Sequence, residues 1–321
     1  MFYSIRHDTR FRYSKPITES VIEARMQPRS EGAQRCLSFD LSISPRARVF
    51  SYRDYSENTV HCFTIPSAHT GLTVTARALV EMKEPATLPA SLNSMAWEEL
   101  DRAVAAGDFW EMLTPGRFAR PTDALRTFAQ ELKLERQGDP LTLLRALNAA
   151  VCDAFDYVPK STKVDSPIDD ALRQRKGVCQ DFAHIMTALV REVKIPCRYV
   201  SGYLFHRAED HDRSSDGATH AWVEVFLPTL GWIGFDPTNN LVAGERHIRV
   251  AIGRDYADVP PTRGVFKGES VAESELAVAV KVSPTDAPLP TDEEPPAFDV
   301  EQRRREPLVE VDYHQQQQQQ Q

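Results

Sequence analysis

The sequence predicts an α+β protein, in which a domain of antiparallel strands precedes a core that mixes helices and strands. Residues 1–84 run in short β-rich segments separated by turn signals, which is the pattern of a small antiparallel β-sandwich. Residues 85–155 change to the helical period, and residues 156–283 combine one buried helix with several strand-like runs. Residues 284–321 have neither period and form a fourth segment.

Six segments predict the strands of the N-terminal domain: Phe2–Tyr13, Val21–Gln27, Arg35–Ile43, Val49–Arg53, Thr59–Thr64 and Leu72–Met82. Two amphipathic helices are predicted next. One begins at Thr122-Asp123 and turns Leu125 and Phe128 inward, and the other opens at Asp139-Pro140.

The most informative stretch of the core surrounds Cys179. Ser166 and Pro167 have the residue types of an N-cap and a first helical position, which predicts a short helix to about Arg175. A second helix then begins at Cys179, because apolar residues recur with the helical period at Phe182, Ile185, Met186, Leu189, Val190 and Val193. The free N–H groups and the dipole at a helix start favour the thiolate, which is the nucleophilic form.

A histidine and an aspartate follow in strand-like runs. His220 lies in the run 219–225, and Asp236 closes the run 231–238. A nucleophilic thiol needs an imidazole as proton acceptor and donor, and the imidazole needs a carboxylate to fix its tautomer. The alternative is that Cys179 is a packing residue, since free cysteines are among the most buried residue types.

The two runs predict an antiparallel hairpin with a specific register. Side chains alternate along a strand, so His220 and Asp236 share a face only if the loop has an odd length or a strand is bulged. A loop of residues 228–230 puts Leu227 opposite Gly231 and makes His220 the diagonal neighbour of Asp236. A further alternating run, Leu276–Val282, predicts a strand that returns to a sheet.

The remaining histidines and cysteines near these motifs are predicted to lie outside the catalytic site. Residues 207–217 predict a charged, mobile loop beside a substrate groove, with His206 and His211 in solvent. Cys152 and Cys197 are predicted to be packing residues.

The motifs around these residues resemble those of the bacterial branch of the transglutaminase-like superfamily, also called transglutaminase-like cysteine proteases. They are Gly-Val-Cys-Gln-Asp-Phe-Ala-His at 177–184, Pro-Cys-Arg-Tyr-Val-Ser-Gly-Tyr-Leu at 196–204, His-Ala-Trp at 220–222, Gly-Trp at 231–232 and Asp-Pro-Thr at 236–238. The resemblance covers about residues 1–282, including the N-terminal β domain. It implies a papain-like core with Cys179, His220 and Asp236 as catalytic residues.

A Cys-His-Asp enzyme of this type attacks an amide bond of a protein or peptide and forms a thioester. Water releases the acyl group in a peptidase or amidase, whereas an amine accepts it in a transglutaminase; hydrolysis is the favoured outcome. The alternative from another class is a non-catalytic binding or scaffold protein that keeps the fold.

Composition argues against several other classes. Charged residues make up 26% and apolar residues 41% of the chain, as in ordinary globular proteins. Much of the net charge of −8 lies after residue 284, where nine acidic residues face three arginines in a Pro-rich and poly-Gln tail predicted to be disordered. The body therefore has no basic field for nucleic acid.

Location and cofactors are also predicted from the sequence. No apolar stretch has the length of a signal peptide or a membrane span, and the five cysteines lack paired spacing, which predicts a cytoplasmic protein without membrane contact. Cys179, His184 and His220 could be named as metal ligands, but no C-x-x-C or H-E-x-x-H pair occurs. We therefore expect neither metal nor cofactor, and the oligomeric state is left open.

Overall fold

The computed structural model describes residues 1–107, 109–207, 209–268 and 274–286. The strands are β1 (Phe2–Ile17), β2 (Glu19–Ala24), β3 (Gln34–Ser44), β4 (Val49–Arg53), β5 (Thr59–Ile65), β6 (His69–Met82), β7 (Asp156–Tyr157), β8 (Lys176–Gly177), β9 (Cys197–Leu204), β10 (His220–Leu227), β11 (Gly231–Asp236), β12 (Leu241–Val242), β13 (His247–Gly253), β14 (Thr262–Lys267) and β15 (Ser274–Thr285). The helices are α1 (Ala96–Ala106), α2 (Trp110–Leu113), α3 (Asp123–Glu131), α4 (Pro140–Ala154), α5 (Ile168–Gln174) and α6 (Cys179–Glu192), and a single 3-10 turn spans Tyr256–Asp258.

The N-terminal domain consists of two four-stranded antiparallel sheets. Their strand orders are β15-β1-β6-β3 and β14-β2-β5-β4. Apolar residues from both sheets, among them Ile17, Phe63 and Val74, form one buried cluster between them. This arrangement confirms the predicted sandwich. Strands with one apolar face bury that face against a second layer.

Two strands of this domain come from the end of the described chain. β14 pairs with β2, and β15 pairs with β1 over the whole length from Ser274 to Thr285. The sequence predicts that the core extends to residue 283 and that the tail begins at residue 284. The structure moves that boundary, since β14 and β15 complete the N-terminal sheets. Alternation predicts that a segment is a strand, but it does not identify the partner strand. The rest of the tail lies outside the described residues.

The long strand β6 connects the sandwich to the core. Val74 and Ala76 lie in the sandwich cluster, whereas Val80 and Met82, further along the same face, pack in the larger cluster that contains Phe182. The two domains therefore share apolar packing along one strand.

The core is an antiparallel sheet with helices packed on it. The strand order is β12-β11-β10-β9-β13, and α6 packs against β10 and β9 while α3, α4 and α5 contact α6. Every residue from Gln180 to Arg191 is buried, because the sheet and the other helices surround α6. In the part of the chain that the structure describes, no helix combines the length and the apolar character that a bilayer crossing requires.

Most predicted helix starts are observed. Thr122 accepts a hydrogen bond from the N–H of Leu125 at 3.1 Å and caps α3, and Asp139 caps α4. The start of α5 is one residue later than predicted. Pro167 is the N-cap, and the Ser166 hydroxyl instead accepts from the N–H of Lys163 at 3.0 Å.

The outer edge of β13 is covered by two side-chain amides of the N-terminal domain. Gln34 donates to the carbonyl of Arg249 and accepts from its N–H, both at 2.8 Å. Asn58 makes the same pair of bonds with Ile252, both at 2.9 Å. The other edge of β13 pairs with β9. Each amide thus replaces the backbone of a neighbouring strand.

Candidate active site

Cys179 is the first residue of α6 and is half-buried. The start of the helix is held by Asp181, whose carboxylate accepts from the N–H of Val178 at 2.9 Å and from the hydroxyl of Thr162 at 2.5 Å. Gly177 makes room for this contact, because a Cβ there would lie 2.9 Å from the Asp181 side chain. Burial raises the pKa of Asp181 to about 6, against the opposing effect of these hydrogen bonds.

His220 begins β10 and Asp236 ends β11, and the hairpin has the predicted register. Leu227 pairs with Gly231 across a three-residue loop, and Val223 pairs with Phe235. The odd loop places both polar side chains on one face, so that His220 Nε2 lies 2.8 Å from Asp236 Oδ2. Both side chains are buried, with exposed fractions of 3% and 0%.

The second ring nitrogen of His220 is left for Cys179. Because Nε2 donates to Asp236, Nδ1 is the atom available to the thiol, which itself lies 4.0 Å from the carbonyl oxygen of Thr219. Burial alone lowers the pKa of His220, but the charge of Asp236 and hydrogen bonds with Asp236 and Cys179 outweigh it and raise the pKa to about 10. This imidazole is therefore protonated at neutral pH.

Asp236 is held by more donors than the sequence indicates. Oδ1 accepts from the N–H groups of Thr238 at 3.0 Å and Asn239 at 3.3 Å. Oδ2 accepts from His220, from Asn239 Nδ2 at 2.8 Å and from His247 Nε2 at 3.2 Å. Burial alone raises the pKa of Asp236, but the two histidines hold it well below its usual range.

Asn239 and His247 are residues of the site that were not predicted from the sequence. An aspartate followed by Pro-Thr-Asn is a turn signal, and the side chain of such an aspartate commonly binds the backbone N–H groups that follow it, so Asn239 had a local signal. His247 lies eleven residues after Asp236 and reaches it only through the pairing of β13 with β9.

The loop before β10 is hydrogen-bonded to this site, whereas the sequence predicts a mobile loop; His211 is exposed, as predicted. Asn239 Oδ1 accepts from the N–H groups of Arg213 at 2.7 Å and Ser214 at 3.1 Å. The guanidinium of Arg213 donates to the carbonyl of Cys152 at 2.7 Å, at the end of α4. His206 is not in solvent either, since its Nδ1 lies 3.1 Å from Asp212. Polar and charged residues of this loop form hydrogen bonds and ion pairs with other segments, and amino-acid composition alone does not predict such contacts.

Three side chains in the described part of the chain, His220, Asp236 and His247, bring possible metal-ligating atoms within 4.8 Å of one another. Both histidines direct Nε2 at the same carboxylate oxygen, at hydrogen-bond distances. A shared hydrogen bond requires a proton on each Nε2, whereas a metal ligand requires a lone pair there. Hydrogen bonding therefore accounts for this cluster. His184, named with Cys179 and His220 above, accepts instead from the N–H of Tyr256 at 3.1 Å.

Comparisons with known proteins agree with the fold. Residues 3–81 match the family described as the bacterial transglutaminase-like N-terminal region, and residues 126–237 match the transglutaminase-like superfamily. A solved structure described as "a Putative Cysteine Protease from Cytophaga hutchinsonii" superimposes with a TM-score of 0.65 at 21% identity, covering 89% of this chain and 92% of that one.

Two relatives differ in how much of the chain they match. An uncharacterized protein of Mycobacterium leprae is 35% identical over 276 residues, which cover 85% of this chain and 96% of that protein. A protein-glutamine gamma-glutamyltransferase of Pseudomonas aeruginosa is 32% identical over 127 residues, which cover 38% of this chain and 19% of that protein. The two family matches and the near full-length relative show that this chain belongs to the transglutaminase-like superfamily and carries the bacterial N-terminal region of that family.

Proposed function

We propose that the protein is a thiol-dependent enzyme that acts on amide bonds of a protein or peptide, with Cys179, His220 and Asp236 as its catalytic triad. The observation that carries the proposal is the 2.8 Å contact between His220 Nε2 and Asp236 Oδ2, which leaves Nδ1 for the thiol at the start of α6. An imidazolium beside a thiol at a helix start favours the thiolate.

The reaction begins when the Cys179 thiolate attacks the amide carbonyl. The backbone N–H of Cys179 lies in the first turn of α6, where no helical carbonyl accepts it, and it donates to the oxyanion. The carbon–nitrogen bond then breaks, and the proton on His220 Nδ1 passes to the departing amine. The acyl group remains on sulfur as a thioester, while Asp236 keeps the neutral imidazole in the tautomer that has its proton on Nε2.

Water or an amine completes the reaction. The neutral Nδ1 of His220 takes the proton of the incoming nucleophile, the carbon–sulfur bond breaks, and the thiolate returns. Hydrolysis is the outcome we favour. Water is present at far higher concentration than any amine, and the thioester on half-buried Cys179 stays accessible to it, whereas transfer needs an amine bound beside the thioester.

The test of the triad is iodoacetamide labelling at pH 6, read out for each cysteine by peptide mass spectrometry. Cys179 is expected to react, whereas burial raises the pKa of Cys36 to about 11 and keeps that half-buried thiol protonated. Cys36 therefore serves as an internal control. A Cys179 thiol that reacts no faster than Cys36 at this pH contradicts the proposal and favours a non-catalytic scaffold.

The second step has its own experiment. A peptide mixture is incubated with the protein in ¹⁸O-labelled water and a dansylated primary amine. Hydrolysis places ¹⁸O in a new carboxylate, and transfer places the dansyl group on the acyl donor. If Cys179 is acylated but the products carry neither label, the protein turns over by neither route.

A further inference from the structure

A second histidine shares the carboxylate of the site. His247 is the first residue of β13 and is 4% exposed, and its Nε2 lies 3.2 Å from the same Asp236 oxygen that His220 contacts at 2.8 Å. The rings of Trp222 and His247 pack nearly perpendicular to each other at 5.3 Å between centroids, and Trp222 also stacks on His220 at 6.1 Å. The two imidazoles are thus held around one acceptor by a common aromatic neighbour.

The protonation state of His247 follows from its second ring nitrogen. The backbone N–H of Gly244 donates to Nδ1 at 3.3 Å. A backbone N–H is a donor and nothing else, so Nδ1 must present a lone pair, and the ring proton lies on Nε2. His247 is therefore a neutral imidazole that donates to Asp236.

The groups around His247 favour this neutral form. Asp236, His220 and Arg246 are the charged groups that face it, and burial, the largest influence, lowers the pKa of His247. Arg246 is itself paired with Asp212 at 2.8 Å and Asp210 at 3.0 Å. A proton on Nδ1 would also point at the Gly244 N–H. The Oδ2 atom of Asp236 therefore accepts a hydrogen bond from the Nε2–H of an uncharged His247.

We propose that His247 is a positioning residue for the reaction of Cys179, because its neutral Nε2–H holds the Asp236 carboxylate towards His220 without adding a second cation to the pair. The inference rests on the proposed triad and adds a residue that positions one of its members. Two N–H groups hold Oδ1, and His247 is a donor to Oδ2 from β13, a strand other than those of the hairpin that carries His220 and Asp236. A neutral donor preserves the full carboxylate charge for the imidazolium.

The test compares two amides of different reach. Gln in place of His247 can put its amide nitrogen near the position of Nε2, whereas Asn is one methylene shorter and falls short of Asp236. The rate of Cys179 alkylation by iodoacetamide is measured against pH for the wild type, His247→Asn and His247→Gln. His69→Asn is the control, because His69 is a buried histidine of the sandwich with hydrogen bonds on both ring nitrogens.

Loss of the donor should move the acidic limb of this profile. Without His247, the oxygen that faces His220 keeps Asn239 Nδ2 as its one other side-chain donor. Its aim at the imidazole is then less well fixed, so the imidazolium is less stabilised and the thiolate forms at a higher pH. We expect the midpoint in His247→Asn to rise by about one pH unit, which is about tenfold slower alkylation on that limb. His247→Gln should stay within about twofold of the wild type, and His69→Asn should leave the profile unchanged.

The outcomes separate this inference from the proposed function. A wild-type thiol that does not react at low pH overturns both. If the wild-type thiol reacts and the profiles of both variants superimpose on that of the wild type, the role of His247 alone is overturned. An equal shift in both variants overturns it too, because it would mean that the ring only fills space. If the Asn variant does not fold, His247→Leu, which fills the site and has no donor, takes its place.

Discussion

Replacement of Asp236 by asparagine removes the charge beside His220 and keeps the shape of the side chain. The asparagine oxygen can still accept from the N–H of Thr238, but its amide nitrogen then faces the Nε2–H groups of His220 and His247. Two donors cannot share a hydrogen bond, so His220 must turn or change its tautomer. Asp236→Asn therefore disturbs the pair through both charge and proton position.

The size of the effect follows from the titration of His220. Its pKa is raised from 6.5 to about 10 although burial opposes the change, and Asp236 is the main charge responsible. Without that charge, burial dominates and the imidazole is neutral at pH 7. A thiol with no imidazolium beside it titrates near pH 8.5, so about 3% is thiolate at pH 7. The rate of Cys179 alkylation at pH 7 should therefore fall by about 30-fold.

The assay is the iodoacetamide rate constant between pH 5 and 9, with folding verified by thermal denaturation. Asp139→Asn is the matched control, because Asp139 is a buried aspartate that caps α4 away from the site. That variant should stay folded, since asparagine caps a helix about as well as aspartate, and should keep the wild-type alkylation profile. A folded Asp236→Asn protein that still reacts at pH 6 would refute the reasoning and direct the search to another carboxylate.

Three further substitutions test the parts that hold the site. Cys179→Ala should leave the melting temperature within a few degrees and abolish acyl-enzyme formation in intact-mass spectra; a retained adduct would assign the chemistry to another residue. Gly177→Ala places a Cβ 2.9 Å from the Asp181 side chain. We therefore expect a loss of about 1–3 kcal/mol in the free energy of unfolding, measured by urea denaturation, and slower alkylation of Cys179. Unchanged stability and alkylation would show that the start of α6 tolerates the displaced Asp181 side chain. Asn58→Leu leaves the buried N–H and C=O of Ile252 without partners, which should cost about 2–4 kcal/mol, whereas a cost under 0.5 kcal/mol would mean that water replaces the amide.

The parts of the site that local rules describe could be predicted from the sequence. The helical period places Cys179 at the start of a buried helix, and it is the first residue of α6. Strand parity requires an odd loop between His220 and Asp236, and Leu227 does pair with Gly231. Both rules use only the geometry of one element or of two neighbours in sequence.

The parts that depend on long-range pairing could not be predicted. β15 pairs with β1 across more than 250 residues, and no alternation pattern specifies that partner. His247 approaches Asp236 because β13 lies beside β9, on the opposite side of β9 from β10. The start of α5 was misplaced for a different reason. Serine and proline have the residue types of an N-cap and a first helical position, but the Ser166 hydroxyl accepts from the N–H of Lys163 instead of capping the helix.

The two amides that cover β13 make the core dependent on the domain before it. A fragment containing the core alone would present the open edge of β13, with the backbone groups of Arg249 and Ile252 unpaired, and such an edge readily recruits a strand from a second molecule. The same strand begins with His247, so disorder there would also reach Asp236. Recombinant work on this protein should therefore keep both domains in one polypeptide, and screens for altered reactivity should include positions around Gln34 and Asn58, although neither contacts the thiol.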